Sequence, residues 1–250
     1  MRIPRIYQST RLTVGETLSL TADAANHLVR VLRLLAGAEI RVFNGEGGEF
    51  SAQIIAIDKK QVLVEIGKYS VVNTESAFRV HLGQAIARGE KMDYILQKTV
   101  ELGVSKITPL LTTRCGVQLS KERWDKRLRH WQAIIINACE QCGRDKIPMI
   151  TLPILLQDWL VNSFDKNFSG CRKFVLDPAA PQKLSAFSSV FQSLPAVKLL
   201  VGAEGGLTES EINLAVQNDF AAVCLGPRIL RTETAAVVAL AALQSYGGDF

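Results

Sequence analysis

From residue 80 onward, short apolar runs alternate with helical patterns, and this alternation limits the possible fold more than any other feature. Strand patterns lie at 80–87, 106–111, 173–176, 198–201 and 221–225, with one more near residue 149. Helical patterns lie between them, at 93–102, 120–142, 155–164, 183–191, from 208 onward and at 232–246. Strands and helices in alternation form a mostly parallel sheet with helices on its faces. We therefore predict an α/β domain.

The first part of the chain has a different pattern, and we expect a separate small β-barrel there. Runs rich in β-branched residues at 39–43, 49–57 and 61–66 are separated by turn-forming clusters. One helical pattern, at 21–35, interrupts the strands. The polar stretch 69–76 is typical of a linker, so the predicted domains are 1–72 and 73–250.

Composition excludes several classes of protein. The 250 residues are 48% hydrophobic and 21% charged, which is typical of a globular protein and not of a disordered one. The longest apolar run, 235–243, is far shorter than the ~20 residues that cross a bilayer. The first eight residues contain no apolar export signal. We expect a cytoplasmic protein without a membrane partner.

Five scattered cysteines do not form the framework of a disulfide-rich protein. Cys139 and Cys142 form a lone C-x-x-C within a helical pattern, without a second pair to complete a zinc site. We therefore interpret them as packing residues and expect no metal.

The net charge of +5 is distributed unevenly. The stretch 114–146 contains eight basic residues against four acidic ones. Such a surplus fits a polyanionic partner, but it is more typical of a solvated helix face.

Two loops carry the clearest chemical patterns. In 201–208, three glycines follow a buried strand, and Thr208 and Glu211 have the spacing of a capping box that opens a helix. Glycines let a ligand approach the backbone closely. The spacing is neither that of a dinucleotide fingerprint nor that of a Walker loop, and Glu204 would repel a phosphate. An uncharged or cationic ligand fits this loop better.

The second loop, 225–235, places Ile229 and Leu230 between two arginines, directly before a helix with Glu233 in its first turn. The pattern fits a ligand-binding loop. It fits equally well a pair of core residues flanked by surface charges.

Together, these two loops resemble the C-terminal motifs of the SPOUT class of knotted methyltransferases. The chain is similar nearly end to end to the ribosomal RNA small subunit methyltransferase E family. Further segments that carry the resemblance are 2–5, 27–33, 84–92, 97–104 and 138–144. Ala203 departs from the family pattern, which usually has Pro at this position.

The resemblance implies a C-terminal SPOUT domain with a parallel sheet and a deep trefoil knot, preceded by a PUA-like, RNA-binding β-barrel. It implies that S-adenosylmethionine is the cofactor and that the methyl acceptor is N3 of a uridine in 16S ribosomal RNA. The substrate would be the small ribosomal subunit or its precursor particle. The enzyme would be a homodimer.

S-adenosylmethionine has an apolar-edged adenine and a cationic sulfur, so its site needs apolar walls and backbone hydrogen-bonding groups. The expected cofactor residues are Leu176, Val201, Gly202, Ala203, Gly205, Gly206, Leu225, Gly226, Ile229 and Leu230. Uridine N3 must lose its proton before methylation, which requires a base or a cation that stabilises the anion. The candidates are Arg231, Glu204 and Glu140. The expected RNA-binding residues are Arg2, Arg5, Arg30, Arg33, Arg88, Lys91, Arg114 and Arg144.

Two other functions compete with this hypothesis. A ribose 2'-O-methyltransferase of the same class, acting on tRNA or rRNA, would have an early Asn-x-Gly motif where this chain has Glu101-Leu102-Gly103. A non-catalytic RNA-binding assembly protein would have no need of the intact glycines and Arg231.

Overall fold

The computed structural model describes residues 3–58, 61–116, 120–161 and 166–250. The chain packs as two compact units. The first contains residues 1–75 and 136–147, and the second contains 76–135 and 148–250. Nothing in the sequence pattern indicated that 136–147 would pack with the first unit.

A five-stranded sheet forms the first unit. Its strands are β1 (Arg5–Tyr7), β2 (Thr17–Ser19), β3 (Glu39–Phe43), β4 (Glu49–Asp58) and β5 (Gln61–Ser70). They pair in the order β1-β3-β4-β5-β2, with only the β1–β3 pair parallel among the described residues. The three predicted strands are confirmed. Strands β1 and β2 were not predicted, because three residues are too few to show a period of two. Closure into the predicted barrel would need pairing between β1 and β2, and the described residues contain none.

The predicted helix of this unit is interrupted. Helix α1 (Ala22–Asn26) continues as one π-helical turn, His27–Val31. Arg33 then takes a left-handed conformation with φ of 54°, which ends the helix before residue 35. Leu28 is fully buried and packs with strand residues such as Ile40 and Val64 in the core of the unit.

A parallel sheet forms the second unit, which confirms the predicted α/β class. Its strands are β6 (Arg79–Ala85), β7 (Lys106–Leu111), β8 (Met149–Ile150), β9 (Ile154–Leu155), β10 (Arg172–Leu176), β11 (Ala196–Val201) and β12 (Phe220–Val223). The order is β12-β10-β11-β6-β7-β8, with β9 beside β7, and all these pairs are parallel. All six residues of β11 are buried, as expected for a central strand covered on both faces.

Helices connect these strands. They are α2 (Glu90–Glu101), α3 (Lys121–Cys142), α4 (Leu156–Val161), α5 (Ser188–Phe191), α6 (Glu209–Gln217) and α7 (Thr232–Gly247), with 3₁₀ turns at Lys166–Phe168 and Leu184–Phe187. The capping box predicted for α6 is present, because the Thr208 side chain accepts from the Glu211 N–H and the Glu211 carboxylate accepts from the Thr208 N–H. In the described residues no helix is long and apolar enough to cross a membrane.

Because the strands of the second unit are parallel, their carboxyl ends lie at one edge of the sheet. Strand β10 ends at Leu176, β11 at Val201 and β12 at Val223. The loops that follow these strands meet at this edge, which is where open α/β sheets bind ligands.

Candidate cofactor and catalytic site

A cavity of about 710 Å³ lies at this edge, where β10 and β11 end and α7 begins. Most of the predicted cofactor residues line it, namely Leu176, Val201, Gly202, Ala203, Gly205, Gly206, Ile229 and Leu230. Leu225 and Gly226 do not line it. Gly226 has a φ of 143°, so it serves the turn that brings Ile229 to the cavity.

One hydrogen-bonded cluster fixes the loop that forms the cavity floor. The Thr232 hydroxyl, at the start of α7, donates to the Gly202 carbonyl at 2.6 Å. The Gln84 amide, at the end of β6, donates to the Thr232 hydroxyl at 3.1 Å and approaches the Gly202 carbonyl at 3.4 Å. Thr232 and Gln84 are both buried. The three groups thus join the ends of two central strands to the start of the last helix.

A different structural constraint favours glycine at each of the three glycine positions of this loop. A Cβ on Gly202 would lie 3.0 Å from backbone atoms of Gly206 and Leu207, so the loop folds back on itself where a side chain would not fit. Gly206 takes a φ of 68°, which other residues rarely adopt. A Cβ on Gly205 would lie 3.1 Å from the Arg114 side chain.

Arg114 holds the same loop from the other side. Its guanidinium Nη1 donates to the Gly205 carbonyl at 2.8 Å and to the Leu207 carbonyl at 3.2 Å. The sequence predicted an RNA contact for Arg114. In the structure this side chain lines the cavity and bonds to the backbone of the glycine loop.

Glu204 is also held in place. Its Oε1 accepts from the Arg88 N–H at 3.0 Å and lies 3.3 Å from the Lys91 ammonium. Partial burial opposes ionisation of this carboxyl, but the bonds from Arg88 and Lys91 outweigh burial and lower the pKa of Glu204. A carboxylate with a lowered pKa is a weak proton acceptor. This argues against the prediction of Glu204 as the base and makes it an anchor of the loop.

The surroundings of Arg231 differ from those of Glu204. It lies at the start of α7, lines the cavity and is exposed. Within the described ranges its guanidinium has no hydrogen-bond or ion-pair partner. It is therefore available to an anion that enters the cavity.

Sequence reasoning missed several residues of the cavity lining, namely Asp177, Pro178, Leu207, Ile212, Thr232 and Ala235. Asp177 directly follows the end of β10, so the rule that ligands bind beyond strand ends could have found it. Ile212 lies four residues after the helix cap Thr208, on the same side of α6. Thr232 could not be found, because its importance depends on a hydrogen bond to a residue thirty positions earlier.

Glu140, the third catalytic candidate, lies in the first unit. Its Oε1 accepts from the Tyr7 N–H at 2.9 Å. Burial raises the pKa of Glu140, although the bond from Tyr7 acts in the opposite direction. Glu140 does not line the cavity.

Two of the predicted RNA-binding arginines are buried inside the first unit. Arg5 donates to Glu49 at 2.8 Å, and Arg144 donates to Glu75 at 2.6 Å. Each arginine side chain is only 7% exposed. A role in RNA binding does not fit this burial, because both guanidinium groups stabilise the packing of the unit.

The other predicted RNA contacts differ in their surroundings. Arg30 and Arg33 are exposed on the first unit, and Arg88 is exposed on the second. Lys91 is half-buried at the cavity beside Glu204. Arg2 lies outside the described residues.

The cysteines are free thiols. Burial raises the pKa of the Cys139 thiol to about 12, so this group is unreactive at neutral pH. Within the described part of the chain, no group of three or more His, Cys, Asp or Glu side chains is arranged to hold a metal ion.

Comparison with known proteins agrees with this geometry. A family model described as an RNA methyltransferase domain matches residues 74–244, and one described as an RNA methyltransferase PUA domain matches 20–67. The chain is 36% identical over 248 residues to the ribosomal RNA small subunit methyltransferase E of Buchnera aphidicola, covering 99% of this chain and 98% of that protein. It is 31% identical to the Bacillus subtilis protein of the same name, covering 91% and 89%.

Solved structures are similar over their whole length. A Legionella pneumophila methyltransferase in complex with S-adenosylmethionine has a TM-score of 0.94 and 42% identity, with 100% of both chains covered. The Neisseria gonorrhoeae ribosomal RNA small subunit methyltransferase E, also bound to S-adenosylmethionine, has a TM-score of 0.89 and 38% identity over 100% of both chains.

Proposed function

This chain belongs to the ribosomal RNA small subunit methyltransferase E family, and we propose that it methylates N3 of a uridine in 16S ribosomal RNA. It is an S-adenosylmethionine-dependent ribosomal RNA methyltransferase. The acceptor atom is our proposal, as is the cytoplasmic small subunit or its precursor as substrate. The observation that carries the proposal is a cofactor cavity at whose lining Arg231 is the one cation without a partner among the described residues.

The cavity fits S-adenosylmethionine chemically. Leu176, Leu230 and the neighbouring apolar residues offer walls for the adenine, and the glycine loop offers backbone hydrogen-bonding groups. Asp177 lines the cavity, and its carboxylate, which accepts from the Ala179 N–H at 2.9 Å, favours the cationic part of the cofactor. The cations at the cavity other than Arg231 are already paired, Lys91 with Glu204 and Arg114 with backbone carbonyls. When bound, S-adenosylmethionine supplies an electrophilic methyl group.

Methylation of uridine N3 needs an anionic nitrogen, because the protonated imide has no free lone pair in the ring plane. An unpaired guanidinium stabilises such an anion and lowers the cost of losing the proton. We assign this role to Arg231. Glu204 and Lys91 act by fixing the loop.

We also propose the trefoil knot and the homodimer that the family resemblance implies. The proposal of the knot rests on the family resemblance. Two exposed apolar side chains on the adjoining helices α2 and α7 support the dimer: Tyr94 is 47% exposed and Val238 is 40% exposed.

Sedimentation equilibrium at micromolar concentration should give twice the chain mass, and a species of 27.4 kDa would contradict the dimer.

The role of Arg231 leads to a kinetic prediction. Arg231→Ala should lower kcat by about 10²- to 10³-fold, as the loss of a preorganised charge stabiliser does. The Kd for S-adenosylmethionine should change little. Raising the pH should partly restore the variant, because more uridine then loses its proton without help. Single-turnover methyl transfer and calorimetric titration measure the two effects.

Arg228→Ala is the matched control, because Arg228 lies in the same loop, is exposed and does not line the cavity. It should keep normal turnover. If Arg231→Ala instead lost affinity for the cofactor while bound enzyme turned over normally, Arg231 would belong to the cofactor site alone.

Nucleoside analysis tests the proposed function. The purified enzyme, S-adenosylmethionine and small subunits from a strain that lacks this gene should yield 3-methyluridine in digested 16S ribosomal RNA, detected by mass spectrometry. A 2'-O-methyl nucleoside would indicate the ribose methyltransferase instead. Absence of any methylated product from both free RNA and subunits would indicate a non-catalytic protein.

A further inference from the structure

A second cavity of about 580 Å³ lies in the same unit, next to the cofactor cavity. It lies between the end of β7, the start of α4 and the first turns of α6. The segment after β7 separates the two cavities. Arg114 of this segment lines the cofactor cavity, whereas Thr112, Thr113 and Cys115 line the second one.

The walls of the second cavity suit a flat, uncharged ring. Trp124 on α3 contributes a half-buried indole, and its ring centroid lies 6.3 Å from that of the fully buried Trp131. Leu156 and Leu214 add apolar surface from α4 and α6. An indole face beside aliphatic walls favours the stacking of a planar heterocycle.

Two polar groups in this cavity are unused. The Thr112 hydroxyl is buried and has no hydrogen-bond partner among the described residues, which is costly unless a ligand or water supplies one. The Gln157 amide is exposed and makes no hydrogen bond within the described ranges. A hydroxyl and an amide can each donate and accept, as the edge of a nucleobase requires.

Among the described residues, one carboxylate lines this cavity, and it is fully engaged. Glu211 accepts from the Thr113 N–H at 2.7 Å and from the Thr208 N–H at 2.8 Å. Burial opposes its ionisation, but these bonds outweigh burial and lower the pKa of Glu211, so the group is ionised at neutral pH. It therefore disfavours a phosphate inside the cavity.

Positive charge lies outside the cavity. No lysine or arginine lines it in the described part of the chain. Helix α3, which carries Trp124, has Arg123, Lys126 and Arg129 exposed in its first three turns. A neutral aromatic cavity next to a basic helix matches a nucleotide, whose base is uncharged and whose phosphate is anionic.

We propose that the second cavity binds an unpaired base of the RNA substrate, other than the base that is methylated. The base stacks on Trp124 and bonds to Thr112 and Gln157, while exposed basic residues of α3 contact the backbone phosphates. Because the cavity adjoins the cofactor cavity, it holds a nucleotide close to the target and so helps to select the RNA. This proposal rests on the proposed function, since it assumes that the substrate is RNA.

Steady-state kinetics with small-subunit RNA as substrate test the proposal. Trp124→Leu should raise the KM for RNA about tenfold, as the loss of one stacked base does. Thr112→Val and Gln157→Ala should each raise it severalfold. The KM for S-adenosylmethionine and kcat should stay at wild-type values in all three variants. A structural defect would lower kcat and the melting temperature instead.

Gln217→Ala is the matched control, because Gln217 is an exposed glutamine at the end of α6 and does not line the cavity. It should leave the KM for RNA unchanged. Gln157 is exposed, so its variant tests the proposal even if Trp124→Leu does not fold. An unchanged KM for RNA in Gln157→Ala and Thr112→Val would overturn the proposal.

Cross-linking gives an independent readout. RNA that carries 4-thiouridine, irradiated in complex with the enzyme, should cross-link to a peptide that contains Cys115 or Trp124, through a nucleotide other than the methylated one. Cross-links that avoid both residues would overturn the proposal. Formation of 3-methyluridine by the wild-type enzyme in the same preparation separates this outcome from failure of the proposed function.

Discussion

The hydrogen bond from Thr232 to the Gly202 carbonyl is the interaction on which the site depends. A parallel sheet brings strand ends together, but it leaves the loops beyond them without fixed positions. Here one buried hydroxyl, supported by the Gln84 amide, ties the glycine loop to the first turn of the last helix. That tie sets both the floor of the cofactor cavity and the position of Arg231, the neighbouring residue.

Electrostatics then decide which groups remain available for chemistry. Glu204 is paired with Lys91 and with the Arg88 backbone, and Arg114 is bonded to loop carbonyls. The charges of these three side chains are neutralised or hydrogen-bonded in contacts that hold the loop. Arg231 alone among the cations at the cavity is unpaired in the described residues. A loop whose other charged side chains are paired, with Arg231 as the one free guanidinium among the described residues, suits a reaction whose substrate becomes an anion.

Periodicity was sufficient to predict the parallel sheet and the long helix α3, and residue spacing was sufficient to predict the capping box at Thr208. Apolar alternation and cap spacing are local properties, so the sequence records them directly. Contacts between residues that are distant in the chain are not recorded in local patterns of this kind. A count of basic residues suggested that Arg5, Arg114 and Arg144 bind RNA, yet all three bond inside the protein. Thr232 was missed for the same reason, because its partner Gly202 is close only after folding.

Calorimetric titration of Thr232→Val with S-adenosylmethionine tests the central claim most directly. The substitution keeps the shape of the side chain and removes the donor to Gly202. We expect the Kd to rise about 5- to 150-fold, the effect of ~1–3 kcal/mol for the loss of this buried hydrogen bond. Thr99→Val is the control, because among the described residues the buried Thr99 hydroxyl bonds only within its own helix, to Ile95 and Leu96. Equal cofactor affinity in Thr232→Val and wild type would contradict the account.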